Sequence, residues 1–263
     1  MYPRLEATDL DIKIFPQYPR RIVISWEIGN SVPVPLRFNI FRSGGLEGEF
    51  EKLNTAPVIE FYYFDDGLKP ISKIFNVDYK LEVIWPTGQT QIFGPFSLVS
   101  SPRLKQAYLV AKEMDREYAI EYKAYSGVNL RIFKRRQWGK RCEECYNAVT
   151  EEVTDSNCAE CFGASFQGGF WDPIDILGKL DLYSRGQQIR DPFGFTEDHV
   201  TNMHIRAFPT VRKGDIIAET AHNIRWYVNA VQTIEHGRFP VKQLAEVRQI
   251  ERTSIFYELD LND

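Results

Sequence analysis

Hydrophobic and polar positions alternate with a period of two through the first hundred residues. In RIVISWEI, Ile22, Ile24 and Trp26 fall on one face, and in LRFNIFRS, Phe38 and Ile40 do so. The same rhythm continues in EFEKLN, EFYYFDDG, VDYKLEVIW and TQIFGPFSL, with Gly-Gly, Asp-Asp-Gly and Pro-Thr-Gly turn signals between them. Six or seven short strands at such spacing predict a β-sandwich over residues 1–100. Its inner face takes Trp26, Phe38, Ile40, Tyr79, Leu81 and Val83. Burying each of these side chains stabilises by about 1.5–3 kcal/mol.

The period changes after residue 100. Leu104, Ala107, Tyr108, Ala111, Met114, Tyr118, Tyr122 and Tyr125 recur at intervals of three and four, which predicts a connecting amphipathic helix over 101–127. Ser101 suits the N-cap and Pro102 the first helical position, and Gly127 suits a left-handed C-terminal cap. Tyr118, Tyr122 and Tyr125 lie on one helical face, which serves internal packing or docking on another domain or subunit.

Residues 128–185 read as a ribbon insertion. It opens with a basic strand in which Val128, Leu130 and Ile132 alternate, and it closes with a glycine-rich, aromatic stretch whose Trp171 and Ile174 pack on the ribbon. Strand signals return in 186–263, at 206–209, 214–218, 224–231, 242–250 and 254–261, with Gly237 turning a hairpin. These predict a small β-barrel, so the fold class is mainly β.

The ribbon carries the clearest chemistry. All four cysteines of the chain fall within twenty positions: Cys142 and Cys145, then twelve intervening residues, then Cys158 and Cys161. Each Cys-x-x-Cys pair chelates one edge of a tetrahedral ion, so the spacing predicts a structural four-thiolate Zn2+ site. Iron, an iron–sulfur cluster, a redox pair and two disulfides are the other readings of four cysteines. Four sulfur ligands leave no open position for water or substrate, which makes the site structural.

Composition narrows the rest. With 43% hydrophobic and 26% charged residues the chain belongs to the folded globular class, and a net charge of −4 gives no global attraction to nucleic acid or anionic membrane. No apolar run approaches the roughly 20 residues of a membrane span, and the amino-terminal stretch lacks the layout of a secretory signal. The expected setting is therefore a cytoplasm, without a membrane partner. The one stretch suited to touching nucleic acid is basic and aromatic: Arg131, Lys134, Arg135, Arg136 and Lys140, interleaved with Phe133 and Trp138. Against it stand the ribbon's own Glu143, Glu144, Glu151, Glu152 and Asp155, which repel phosphate, and the ordinary use of such charges as a solvated face.

His199, His204, His222 and His236 have no metal-binding spacing and read as surface or packing residues. Asp65 with Asp66, and Asp172 with Asp175, are the carboxylate pairs able to hold a cation or act as acid and base; turn chemistry explains the first pair equally well. Nucleophile-elbow, phosphate-loop and dinucleotide fingerprints are missing from the sequence, so the expectation is a non-enzyme with no catalytic residues.

Two resemblances refine these expectations. Residues 5–99 resemble a fibronectin type III domain through Trp26, NIFRSGGLEGEFEKLN, FYYFDDGL and DYKLEVIWPTGQ, with Trp26 and Tyr79 at that family's tryptophan and tyrosine places. Such domains bind, space and decorate. The stretch containing RKGDII, NIRWYVNAV, RFPVKQLAEVRQI and IFYEL resembles the small β-barrel of head-completion and head-to-tail joining proteins of tailed bacteriophages. That resemblance implies a virion neck subunit, assembled in the host cytoplasm into a homo-oligomeric ring. Its implied partners are portal, tail or other neck proteins, with passing contact to packaged DNA and with the loop His236–Gly237–Arg238 reaching a neighbour or the channel. The competing class is a zinc-ribbon nucleic-acid-binding or regulatory protein.

Overall fold

The computed structural model describes residues 5–29, 32–43, 49–67, 77–181, 185–191 and 194–261, excluding the side chains of residues 7 and 185–199. The Gly-Gly turn at 44–45, the stretch 68–76 and the side chain of His199 lie outside the described residues. The chain divides into two compact units. The first comprises Met1–Glu113, Gln137–Arg141 and His236–Phe239, and the second Met114–Arg136, Cys142–Glu235 and Pro240–Asp263. Among the described residues no helix is long and apolar enough to cross a membrane.

The first unit is built from β1 (Leu10–Gln17), β2 (Arg21–Ile28), β3 (Arg37–Ser43), β4 (Phe50–Lys52), β5 (Tyr62–Asp65), β6 (Asp78–Ile84) and β7 (Thr90–Ser97). They form a three-stranded sheet ordered β1-β2-β5 and a four-stranded sheet ordered β4-β3-β6-β7. Alternation in β2 and β3 aims Trp26 and Phe38 at each other, with ring centroids 4.9 Å apart. All six residues expected on the inner face are buried. A polar knot closes one end: buried Asp65 accepts hydrogen bonds from Tyr79 Oη at 2.8 Å and from Arg42 Nη1 at 2.7 Å. Burial, and then the Asp65 charge, raise the Tyr79 phenol well above its usual range.

Residues 137–141 belong to this unit, which corrects one expectation. Trp138 is not an exposed stacking platform: it is 1% exposed and meets the Phe38 ring at 5.3 Å. Backbone pairing holds it there. Val32 donates to the Gln137 carbonyl at 3.0 Å, Gly139 donates to the Val32 carbonyl at 3.2 Å, and the Ile28 amide donates to Gln137 Oε1 at 2.9 Å.

Helix α1 (Pro102–Glu121) starts as the sequence predicts, with the Leu104 amide donating to Ser101 Oγ at 3.3 Å. Its end differs. A π-helical turn, Tyr122–Ser126, follows, and Gly127 has φ −83° and ψ 140°, an extended rather than left-handed conformation. Glycine is needed there for closeness, because a Cβ would lie 2.0 Å from the Tyr122 carbonyl oxygen. Of the three tyrosines, Tyr122 is buried and Tyr125 is 87% exposed.

The second unit contains β8 (Val128–Phe133), β9 (Tyr146–Asn147), β10 (Glu152–Val153), β11 (Ile174–Leu180), β12 (Arg185–Asp191), β13 (Gly194–Arg206), β14 (Ile216–Glu219), β15 (Ile224–His236) and β16 (Phe239–Gln249). Strands β11-β8-β14-β15-β16-β13 follow one another, and β13 pairs back to β11 through Lys179↔His204 and Leu180↔Met203. This closes a six-stranded β-barrel, with β12 paired to β13 outside the circuit. Period-two positions fill the interior: Leu130 and Ile132, Met203 and Ile205, Trp226 and Val228, Ala245 and Val247.

The barrel differs from the expected span in two ways. Strands β8 and β11, assigned by sequence to the 128–185 insertion, are barrel staves, so the inserted stretch is only 134–173. Alternation announces a strand but not its partner, and these partners are distant in sequence. The expected strand over 254–261 is instead a 3-10 turn, Ile255–Glu258. Buried Arg225 holds it in that form, its guanidinium donating to the Phe256 and Leu259 carbonyls at 2.5 and 2.6 Å.

Candidate metal centre

The inserted stretch leaves and re-enters the barrel wall at adjacent staves, since Ile132 on β8 faces Ile174 on β11. Its neck is zipped. The Trp171 amide donates to the Lys134 carbonyl at 2.8 Å, the Arg136 amide to the Gly169 carbonyl at 3.1 Å, and Arg135 bridges Phe170. Buried Asp215 anchors the exit by accepting from the Arg135 amide at 2.9 Å.

Beyond the neck, each Cys-x-x-Cys pair folds into the same tight turn. The Tyr146 amide donates to the Cys142 carbonyl at 3.3 Å, and the Phe162 amide to the Cys158 carbonyl at 2.8 Å. β9 and β10 make a two-residue hairpin after the first pair. Gly163, with φ +72°, takes the left-handed turn after the second pair, where a Cβ would lie 3.0 Å from the Ser156 carbonyl oxygen.

These turns bring all four Sγ atoms within 4.8 Å of one another. Cys145 and Cys161 are 3.1 Å apart, and Cys142 and Cys158 are 3.8 Å apart. Tetrahedral zinc with bonds of about 2.3 Å separates sulfurs by about 3.8 Å, so the cluster fits one ion with separations adjusted by about 1 Å at most. All four side chains are buried and none is in a disulfide. The half-buried Tyr146 and Val153 pack against them, and the Glu144 carboxylate lies 3.9 Å from the Cys158 sulfur.

The four thiols are not equivalent. Burial pushes the Cys145 and Cys161 thiols up. At Cys158 burial also pushes upward, but the Cys161 and Glu160 amides, together with the Cys145 and Cys142 thiols, outweigh it and bring the thiol down. Among the described residues, this is the one group of three or more His, Cys, Asp or Glu side chains arranged to hold a metal ion.

The basic residues singled out by sequence have partners within the chain. Arg131 forms a two-pronged pair with Asp175, at 2.7 and 3.0 Å, and also donates to the Leu261 carbonyl. Lys134 is 2% exposed and donates to the Thr210 carbonyl at 2.7 Å. Arg135 donates to the Gly163 carbonyl at 2.7 Å. Arg136 donates to the Phe170 carbonyl at 2.8 Å, with its guanidinium 4.5 Å from the Trp171 ring. Lys140 is exposed and lies in the 137–141 segment of the first unit.

The other candidates are dispersed. Asp66 pairs with Arg21, His204 with Asp181 and His222 with Glu219, while Asp172 and His236 are exposed. Arg238, at the β15–β16 tip, donates to the Ser97 and Leu98 carbonyls, so the tip is engaged within the first unit.

Sequence reasoning missed the residues that frame the sulfurs. Ser165 accepts from the Cys142 amide at 3.0 Å, and Asp215 and Gly163 act as described above. The glycine two positions after the last cysteine was the available signal, since such turns need a left-handed residue. No protein-family model matches the chain, and no curated protein matches it in sequence.

Proposed function

We propose that this protein is a structural subunit of a tailed-bacteriophage neck, assembling into a ring with copies of itself and meeting portal or tail proteins in the virion. One observation carries the reading. The segments RKGDII, NIRWYVNAV and RFPVKQLAEVRQI, which resemble the head-to-tail joining barrel, supply β14, β15 and β16, three consecutive staves of one closed barrel. Within this reading the three- and four-stranded sheets form a fibronectin type III-like brace. The four thiolates hold a structural Zn2+ in a ribbon clamped onto the barrel wall. Zinc suits four sulfurs in a closed tetrahedron and supplies no chemistry beyond the bonds themselves.

The residues around the site do the rest. Backbone amides orient the sulfurs, and the zipped neck holds the ribbon to its stave. Mass in solution and negative-stain imaging of the purified chain test the assembly. Closed rings are the expected result, and a monomer at every concentration up to that of assembly overturns it. Elemental analysis expects about one zinc per chain.

A further inference from the structure

Strand β14 is buried on both sides. Ile217 points into the barrel, while Ile216 and Ala218 point outward into a second apolar cluster with Phe133, Phe170 and Leu259. Two pieces of chain roof that outer wall. One is the cysteine loop, through Phe162 and Phe170, whose ring centroids are 6.2 Å apart. The other is the C-terminal turn, whose Phe256 meets Phe170 edge-on at 6.3 Å.

The second cysteine turn sets Phe162 and shares Phe170 with the neck, where Arg135 pairs with it and Arg136 donates to its carbonyl. Phe162 follows Cys161 directly and has φ +49°, a left-handed conformation held by its amide bond to the Cys158 carbonyl. Phe170 follows Gly169, which closes so tightly on the turn that a Cβ there would lie 2.6 Å from the Cys161 carbonyl oxygen. The Gly168 amide donates to the Glu160 carbonyl at 3.1 Å, adding a second tie.

The C-terminal turn is tied to the barrel at several points. Its amides at Tyr257 and Leu259 donate to the Ser254 and Phe256 carbonyls, at 3.0 and 3.4 Å; Arg225 donates to the Phe256 and Leu259 carbonyls, Tyr257 Oη donates to the Ile250 carbonyl at 3.3 Å, and Arg131 donates to the Leu261 carbonyl. A single helical turn of this length does not hold itself in water. To these barrel ties the cysteine loop adds the edge-on contact of Phe170 with Phe256.

We propose that the metal centre is a latch for the C-terminal segment: ion bound, the Cys158–Cys161 turn presents Phe162 and Phe170 and the segment 254–261 is held tightly on the barrel wall; ion lost, that segment loosens while its barrel bonds remain. This rests on the metal reading above. The coupling is reciprocal, so loosening the segment weakens the hold on the ion by the same factor.

Hydrogen exchange tests both directions on the full chain. A chromophoric chelator strips the metal and counts what is released. Exchange is then followed at the Tyr257 and Leu259 amides and, for comparison, at Val228 and Val247 in the barrel. The expected result is exchange faster by about tenfold at the two C-terminal amides, the equivalent of one aromatic pair, with the barrel amides unchanged. Released metal with unchanged C-terminal exchange overturns the latch and leaves the metal centre standing. Barrel and segment loosening together also overturns it, since the effect is then global. A folded protein that never held metal removes both ideas. As the reverse arm, Phe256→Ala, outside the cysteine loop, is expected to lower Zn2+ affinity in chelator competition by up to the same tenfold. Unchanged affinity overturns the coupling.

Discussion

The barrel and the cysteine loop, within one unit, are held together by opposite means. The barrel interior gathers ten buried residues, all apolar, from five strands and the loop at Val211, and the strand residues are placed by simple alternation. The loop has four sulfurs for a centre, with Tyr146 and Val153 beside them. Apolar burial is spread over many residues, so the barrel loses stability in increments. On the proposed reading, a metal centre concentrates its stabilisation in one set of bonds, worth on the order of 10–16 kcal/mol in small sites, so the loop would keep or lose its form as a whole.

The sharpest way to break that contrast is Cys161→Ser. It removes one of four ligands, and the expected outcome is loss of the metal and of ordered signals from residues 142–166, with the barrel still folded. Metal content and amide NMR spectra check it, and a barrel that melts along with the loop would show that the two share a single centre. Next in size is Ile205→Ala. This fully buried barrel residue leaves a cavity, with an expected loss of about 2–5 kcal/mol in denaturant unfolding and undiminished metal content.

The smallest effect concerns the first unit and pH. Tyr79 stays neutral in the fold well above the usual phenol range, through burial and the neighbouring Asp65 charge. The unfolded chain gives up that proton at about pH 10, so this stability is complete below that pH and is lost as pH rises beyond it. Tyr79→Phe removes the hydrogen bond to Asp65, for an expected loss of about 1.5–3 kcal/mol at neutral pH, and flattens the alkaline decline. Melting curves of both proteins from neutral to strongly alkaline buffer separate the two effects. A variant as alkali-sensitive as its parent would assign the decline elsewhere.

Much of this was legible in the sequence, for identifiable reasons. Inward residues of β6, Tyr79, Leu81 and Val83, announce themselves because they alternate with half-buried neighbours, whereas Trp26 lies on β2, which is buried on both faces from Ile22 to Ile28. The sulfur cluster is readable because ligand spacing is local. What could not be read was long-range pairing. Nothing near Val128–Phe133 reveals that its partners are β11 and β14. The C-terminal IFYEL segment has strand-like composition, yet Arg225, distant in sequence, captures its carbonyls and coils it. Strand β1 was missed although Leu10, Ile12 and Ile14 alternate with Asp11 and Lys13; only Phe15 and Pro16 break the pattern, at its end. Trp138 misled because an aromatic among cations looks the same whether it stacks on a base or fills a core.

Strand β14 has no wet side at all: Ile216, Ile217, Ala218 and Glu219 are each at most 6% exposed. In most strands every second position tolerates exchange, which lets a lineage wander while keeping its fold. Here that freedom is missing, and natural variation across these four positions should be slow and uniform, whereas on β16 it should come and go with every other residue.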